Sequence, residues 1–231
     1  MIICRSLQHQ FYNFAITMKP LATLALTMLL PLAAGAAATL NYSYVVNMQI
    51  PDNSGIGLVS TQRVTAPIIP ISGVSVQLTM TGGWTGDLYA YLTHDTGFTV
   101  LLNRPGRSLA ETFGSGATDL TITFDDSAPT DIHTGIPNSG SVAGGYQPDG
   151  RSIDPDNVLD TTPRTAFLSS FNGLDANGEW SVYVADVATG DTMTLSSWSL
   201  NITLVPEPST FLLAPAGACL ALRRRRGAFC G

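Results

Sequence analysis

Carboxylates carry most of the chemical potential of this chain of 231 residues. Between Thr39 and Val205, fourteen Asp and two Glu face five Arg and no Lys, a net charge of −11. Asp87 opens the apolar-alternating run Leu88-Tyr89-Ala90-Tyr91-Leu92, Asp125 and Asp126 follow Ile122-Thr123-Phe124, and Asp186 follows Val182-Tyr183-Val184-Ala185. Carboxylates at strand ends, beside loop carbonyls, suit calcium, which takes six to eight oxygen ligands and needs neither Cys nor His. Asp87, Asp125, Asp126 and Asp186 are therefore candidate calcium ligands, although aspartates at such positions also cap turns. A second acidic stretch, Asp154-Pro155-Asp156-Asn157 with Asp160, lacks the turn glycine of known calcium loops. So acidic a body is a poor partner for nucleic acid, whose binding rests on neutralising phosphates.

Catalysis is not expected. A serine-protease triad needs a base, an orienting carboxylate, a nucleophile and an oxyanion hole. The body has two histidines, His94 and His133, and no Gly-x-Ser-x-Gly elbow near either. His94-Asp95 reads as a solvated hairpin turn, and no His-Glu-x-x-His zinc motif occurs. All three cysteines, Cys4, Cys219 and Cys230, lie in the end segments, so the body has no disulfide framework. Trp180 and Trp198 fall within strand-like segments and are expected in the core. Trp84, in Gly82-Gly83-Trp84-Thr85, is the candidate for an exposed aromatic contact with a ligand.

The elements that must position these residues read as β throughout. Period-two alternation predicts strands over Leu40–Gln49, Arg63–Ala66, Val74–Met80, Asp87–Thr93, Phe98–Asn103, Asp119–Phe124, Ala166–Ser169, Trp180–Ala185 and Met193–Leu204. Gly-Gly, Asp-Gly and Asn-Gly pairs punctuate them. Eight or nine strands predict an all-β, jelly-roll-like sandwich. Gly135 to Thr162 shows no strand character and is expected to be one long loop.

The two ends read as targeting segments. Lys19, an apolar run Leu21 to Leu32 and the alanines to Ala38 form a secretory signal, with Met18 as a suitable start. At the other end come Pro206-Glu207-Pro208, an apolar stretch from Phe211 to Leu222, and Arg223, Arg224, Arg225 and Arg226. An arginine cluster stays on the cytoplasmic side of a membrane. Twelve apolar residues at ~1.5 Å each fall short of a full span, which suits a transient tether. The motif, helix and arginines in this order resemble the PEP-CTERM sorting signal. That resemblance implies an exosortase-type processing enzyme as partner and cleavage near Pro-Glu-Pro. The domains expected are a signal over 1–38, a body over 39–204 and a tail over 205–231.

The body also carries ordered motifs. They are Gly73-Val74-Ser75-Val76-Gln77-Leu78-Thr79-Met80, Gly86-Asp87-Leu88-Tyr89, Asn103-Arg104-Pro105-Gly106, Phe124-Asp125-Asp126-Ser127, Gly178-Glu179-Trp180-Ser181-Val182-Tyr183 and Ser197-Trp198-Ser199-Leu200. In this order they resemble the P domain (P/Homo B) of proprotein convertases. Gly82-Gly83-Trp84-Thr85 departs from it, since many members carry a histidine there. The resemblance implies a jelly roll and calcium-ligating motifs at Asp87, at Asp125-Asp126 and at Asp186. P domains usually follow a subtilisin-like protease domain, of which this chain shows none. The reading is an exported, non-catalytic protein of the cell surface or extracellular matrix. Its sandwich would meet extracellular polysaccharide or surface proteins, and its tail would hold it transiently to the membrane. The alternative is an accessory domain working with a separate subtilisin-like serine protease.

Overall fold

The computed structural model describes residues 37–205; all of the targeting segments except Ala37, Ala38 and Val205, and with them Pro206, Glu207, Pro208 and the four arginines Arg223 to Arg226, lie outside them. Nine strands are formed: β1 (Ala38–Gln49), β2 (Leu58–Val64), β3 (Ile71–Gly83), β4 (Leu88–His94), β5 (Gly97–Asn103), β6 (Gly116–Phe124), β7 (Ser139–Tyr146), β8 (Gly178–Asp186) and β9 (Met193–Leu204). They make a five-stranded sheet of order β1-β9-β3-β6-β7 and a four-stranded sheet of order β2-β8-β4-β5. Setting β7 aside, the orders 1-9-3-6 and 2-8-4-5 are those of a jelly roll, two Greek keys folded face to face. The expected all-β sandwich is thus the observed one.

The alternation read in the sequence becomes inside and outside. Leu88, Ala90 and Leu92 on β4, Val182 and Val184 on β8, and Leu120, Ile122 and Phe124 on β6 are fully buried between the sheets. Tyr89, Tyr91 and Thr93 on β4 and Ser181 and Tyr183 on β8 are partly exposed on the other face. Trp180 and Trp198 are buried, as expected, and each finds a partner for its indole N–H. Trp180 donates to the Ala176 carbonyl at 3.0 Å and Trp198 to the Ser60 hydroxyl at 2.9 Å, the latter linking the two sheets.

Three expectations need correction. The Arg63–Ala66 strand lies earlier, over Leu58–Val64, where polar residues alternate on an edge. Ala166–Ser169 is not a strand; Leu168–Phe171 forms a 3-10 turn whose buried Leu168 and Phe171 plug the core. The long segment from Gly135 to Thr162 contains β7, which runs parallel to β6. Its sequence, Ser-Gly-Ser-Val-Ala-Gly-Gly-Tyr, gives no alternation because one residue alone, Val142, is buried. The same segment then seals that flank: Asp149 and Gly150 donate N–H groups to the carbonyls of Leu101 and Val100 at the edge of β5.

The strands also sort the loops into two ends. Ala38 pairs with Leu204 and Ile71 with Leu204, so both chain ends of the sandwich leave from one end. The loops before β4, after β5 and after β8 gather at the other, where Gly82 pairs with Met193 and Leu88 with Asp186.

Candidate functional site

The far end holds the first pair of expected ligands. Asp87 closes a short 3-10 turn and Asp186 ends β8, on strands that pair at Leu88 and Asp186. Asp186 is 1% exposed and Asp87 8%. Asp87 has the guanidinium: Arg104 Nη2 lies 3.6 Å from Asp87 Oδ1, while its Nε donates to the Gly86 carbonyl at 3.0 Å. Asp186 accepts a long hydrogen bond from Ala188 N–H at 3.3 Å. Burial pushes the Asp186 carboxyl up to about 6; the Ala188 and Asn53 N–H groups oppose this, and the charges of Asp87 and Asp52 add to it. Burial likewise raises Asp87, opposed by Arg104 and reinforced by Asp191 and Asp52. The end therefore has more buried negative charge than its arginine balances. Asp154 and Asp156 also reach it, lining an open cavity of about 220 Å³ with Asn53, Gly55 and Val187.

Asp125 and Asp126 sit elsewhere. They follow the C-terminal residue of β6, nine residues from the end where Asp87 lies, or about 30 Å at ~3.3 Å per residue. Asp125 accepts from the Ser127 N–H at 2.8 Å and from its hydroxyl at 2.6 Å. Asp126 accepts from Leu168 N–H at 3.1 Å and Ser169 N–H at 2.8 Å, capping the 3-10 turn. Both line an open polar cavity of about 260 Å³ with Ser72, Ser75 and Asn172. The four expected ligands thus do not share one site. Among the described residues, no three His, Cys, Asp or Glu side chains come together closely enough to hold a metal ion.

Both histidines are buried, which corrects the solvated-turn reading of His94. His94 lies flat on Trp180, centroids 4.1 Å apart and planes within 4°. Its Nδ1 faces the Glu179 carbonyl at 2.9 Å and its Nε2 the Asp175 carbonyl at 2.6 Å. His133 hydrogen-bonds Asp149 Oδ2 through Nδ1 and the Arg107 carbonyl through Nε2, both at 2.8 Å. Arg151 bridges Asp149 and Asp131, at 3.3 and 2.9 Å. Burial pulls the His133 pKa down, but Asp149, by hydrogen bond and by charge, and the Arg107 carbonyl outweigh it, so the net shift is upward. This network fastens the segment after β7 to the loop after β5. Every ring nitrogen of the two histidines is occupied, and none faces a serine, threonine or cysteine.

Aromatic residues occupy two surfaces. Trp84 is 38% exposed and donates its indole N–H to the backbone carbonyl of Phe113 at 3.2 Å; Phe113 is 73% exposed. The second surface was not anticipated. On the outer face of the four-stranded sheet, Tyr183 and Tyr91 stack at 4.6 Å and 16°. Tyr89 meets both edge-on at 6.3 and 5.9 Å, and Phe98 flanks Tyr91 at 5.5 Å. Register makes the row: Val59 pairs with Tyr183 and Tyr183 with Tyr91. All four rings are partly exposed. The Tyr89-x-Tyr91 spacing was a signal in the sequence; the neighbour from β8, more than ninety residues away, was not.

No protein-family model matches the chain, and no curated protein does. Among solved structures it is similar to a chain of the Aeromonas sobria serine protease and chaperone complex, at 17% identity and a TM-score of 0.44 over 75% of this chain. A second similarity, to the serine protease of Aeromonas sobria, has 17% identity and a TM-score of 0.41 over 73% of this chain. The chain spans 28% and 27% of those two chains.

Proposed function

We propose that the chain is an exported, non-catalytic protein of the cell surface or extracellular matrix. Its P-domain-like sandwich is an interaction module for neutral polysaccharide. The observation that carries this is the aromatic row Tyr183, Tyr91, Tyr89 and Phe98 on an outward sheet face. Aromatic rings offer apolar contact to the C–H faces of sugars, and tyrosine hydroxyls offer hydrogen bonds at low entropic cost. A body of net charge −11 disfavours acidic glycans, so the partner class is neutral. The occupied nitrogens of His94 and His133 support a non-catalytic role, since neither is placed to take a proton from a nucleophile.

The terminal segments supply export and sorting in this reading: a signal over 1–38 and a PEP-CTERM-type tail over 205–231, processed by an exosortase-type enzyme. Calcium belongs at the Asp87–Asp186 end, where two carboxylates are buried and only Asp87 has an arginine partner among the described residues. Two carboxylates fit a divalent cation in charge, with loop carbonyls and water completing the oxygen shell.

The test is affinity electrophoresis of the protein through gels containing neutral or acidic polysaccharide. Retardation by the neutral polymer, lost in Tyr91→Ala with unchanged far-UV circular dichroism, is expected. Equal mobility in every gel, or retention undiminished in Tyr91→Ala, refutes the aromatic face as the binding surface.

A further inference from the structure

We infer that β1 is a pairing edge for a second copy of this chain, forming a two-fold symmetric dimer through antiparallel β1–β1 contact. The two flanks of the sandwich differ. On the β5 and β7 side, the edge of β5 is hydrogen-bonded by Asp149 and Gly150. On the other side β1 and β2 lie at the edges of their sheets. Tyr42 Oη donates to the carbonyl of Thr65, just after β2, at 2.9 Å; no side-chain hydrogen bond joins β1 to β2 itself among the described residues.

Apart from the irregularity that ends its regular stretch after Val45, β1 has none of the features that blunt a sheet edge among the described residues. It is twelve residues long, Ala-Thr-Leu-Asn-Tyr-Ser-Tyr-Val-Val-Asn-Met-Gln, without proline and without a charge. Proteins protect edges with lysine, proline, short length or a covering loop, and an exposed, long, uncharged edge is a template for another strand. Its inward row is also incompletely covered. Leu40, Tyr42, Tyr44 and Val46 are only partly buried, whereas the residues opposite them on β9, Ile202, Leu200 and Trp198, are fully buried. The hydroxyl of Tyr44 is buried without a hydrogen-bond partner. On the outward row Val45 is 79% exposed.

A second copy fits this edge better than an arbitrary strand for two reasons. An antiparallel strand pair is self-complementary, as a two-fold interface must be. The domains carry like charge, −11 each, yet the edge itself is uncharged, so pairing here brings no carboxylates face to face. The pairing register is limited by the irregularity between Val45 and Met48, where Asn47 takes a positive φ of 50°. That leaves Thr39–Val45 as the regular stretch, with Tyr42 at its centre. Asn41 of one copy then faces Ser43 of the other, and Leu40 faces Tyr44, which extends the half-covered inner row across the interface.

The test uses the full chain with Cys4, Cys219 and Cys230 changed to Ser, so that introduced cysteines are the only thiols. Sedimentation of this chain is expected to show a concentration-dependent dimer. Asn41→Cys with Ser43→Cys is expected to yield a disulfide-linked dimer under mild oxidation. Asp95→Cys, on an exposed turn, is expected to yield none. Ser43→Lys, which sets a charge on the edge, is expected to weaken association at least about tenfold with unchanged circular dichroism. A monomer at every concentration, a dimer indifferent to Ser43→Lys, or equal cross-linking through position 95 overturns the inference.

Discussion

Removing the His133 imidazole is expected to be among the most damaging single changes available. His133 and Asp149 have fully buried side chains 2.8 Å apart, and Arg151 lies 3.3 Å from the other oxygen of Asp149. His133→Ala leaves the Arg107 carbonyl without its donor and Asp149 with half its positive surroundings. Breaking a buried, hydrogen-bonded ion pair from one side costs about 3–5 kcal/mol. That is a large share of the ~5–15 kcal/mol that holds a domain together. At about 2–4 °C per kcal/mol for a domain of this size, the midpoint should fall by roughly 10 °C. The pH dependence supplies an independent reading. The folded pKa of His133 is raised above its ordinary value, so its contribution is fully present below that value. The contribution is lost as pH rises through the folded pKa, with a slope of about 1.4 kcal/mol per pH unit in between. Urea unfolding from pH 6 upward would show this decline in the native chain and its absence in His133→Ala. Parallel pH profiles in the two chains, or a loss well under 1 kcal/mol at pH 6, would refute the charged His133–Asp149 pair.

Other expectations concern the acidic end, the core and the tail. In chelator at pH 7, Asp186→Asn should stabilise the fold by up to about 3 kcal/mol, because a carboxyl raised to about 6 is ionised there at a cost. The native penalty is absent below the ordinary carboxyl range and complete above about 6, so urea unfolding of the two chains should converge as pH falls through that window. Calcium should raise the native midpoint and not that of Asp186→Asn; equal responses would remove Asp186 from the proposed site. Gly97→Ala would set a methyl against the buried Phe171 ring, and overpacking of this kind costs ~1–3 kcal/mol, readable in thermal unfolding. Changing Arg223–Arg226 to Ser removes the positive-inside bias and should cause premature release of the protein, detected by fractionation; unchanged sorting would reduce the tail to a weak anchor. Starting at Met18 should suffice for export, and any peptide from residues 1–30 found on the mature surface protein would contradict this.

Strand alternation was legible in the sequence where apolar side chains mark the buried face of a strand; β2, whose inward row includes Ser60 and Gln62, was misplaced. Leu88-Tyr89-Ala90-Tyr91-Leu92 declares both its conformation and its sidedness within five residues, because the period of two is a local property. Met193–Leu204 was legible to the residue for the same reason. The aspartates at strand ends and the tryptophans of the core were also readable as residue types. Which of them meet was not. Asp87 and Asp186 come together through pairing across a hundred positions, while Asp125 and Asp126 lie at the far end of β6 and cap turns instead. β7 was hidden because an exposed, glycine-rich edge strand is defined by its neighbour β6 rather than by its own side chains. His133 found Asp149, and Tyr91 found Tyr183, only once the loops and strands had packed. Sequence by itself therefore determined the sandwich and the sidedness of its strands, which follow from short-range periodicity and burial. Tertiary structure decided the sites, because hydrogen-bond partners, shared charge and ring stacking depend on which distant segments the two sheets bring within a few ångströms.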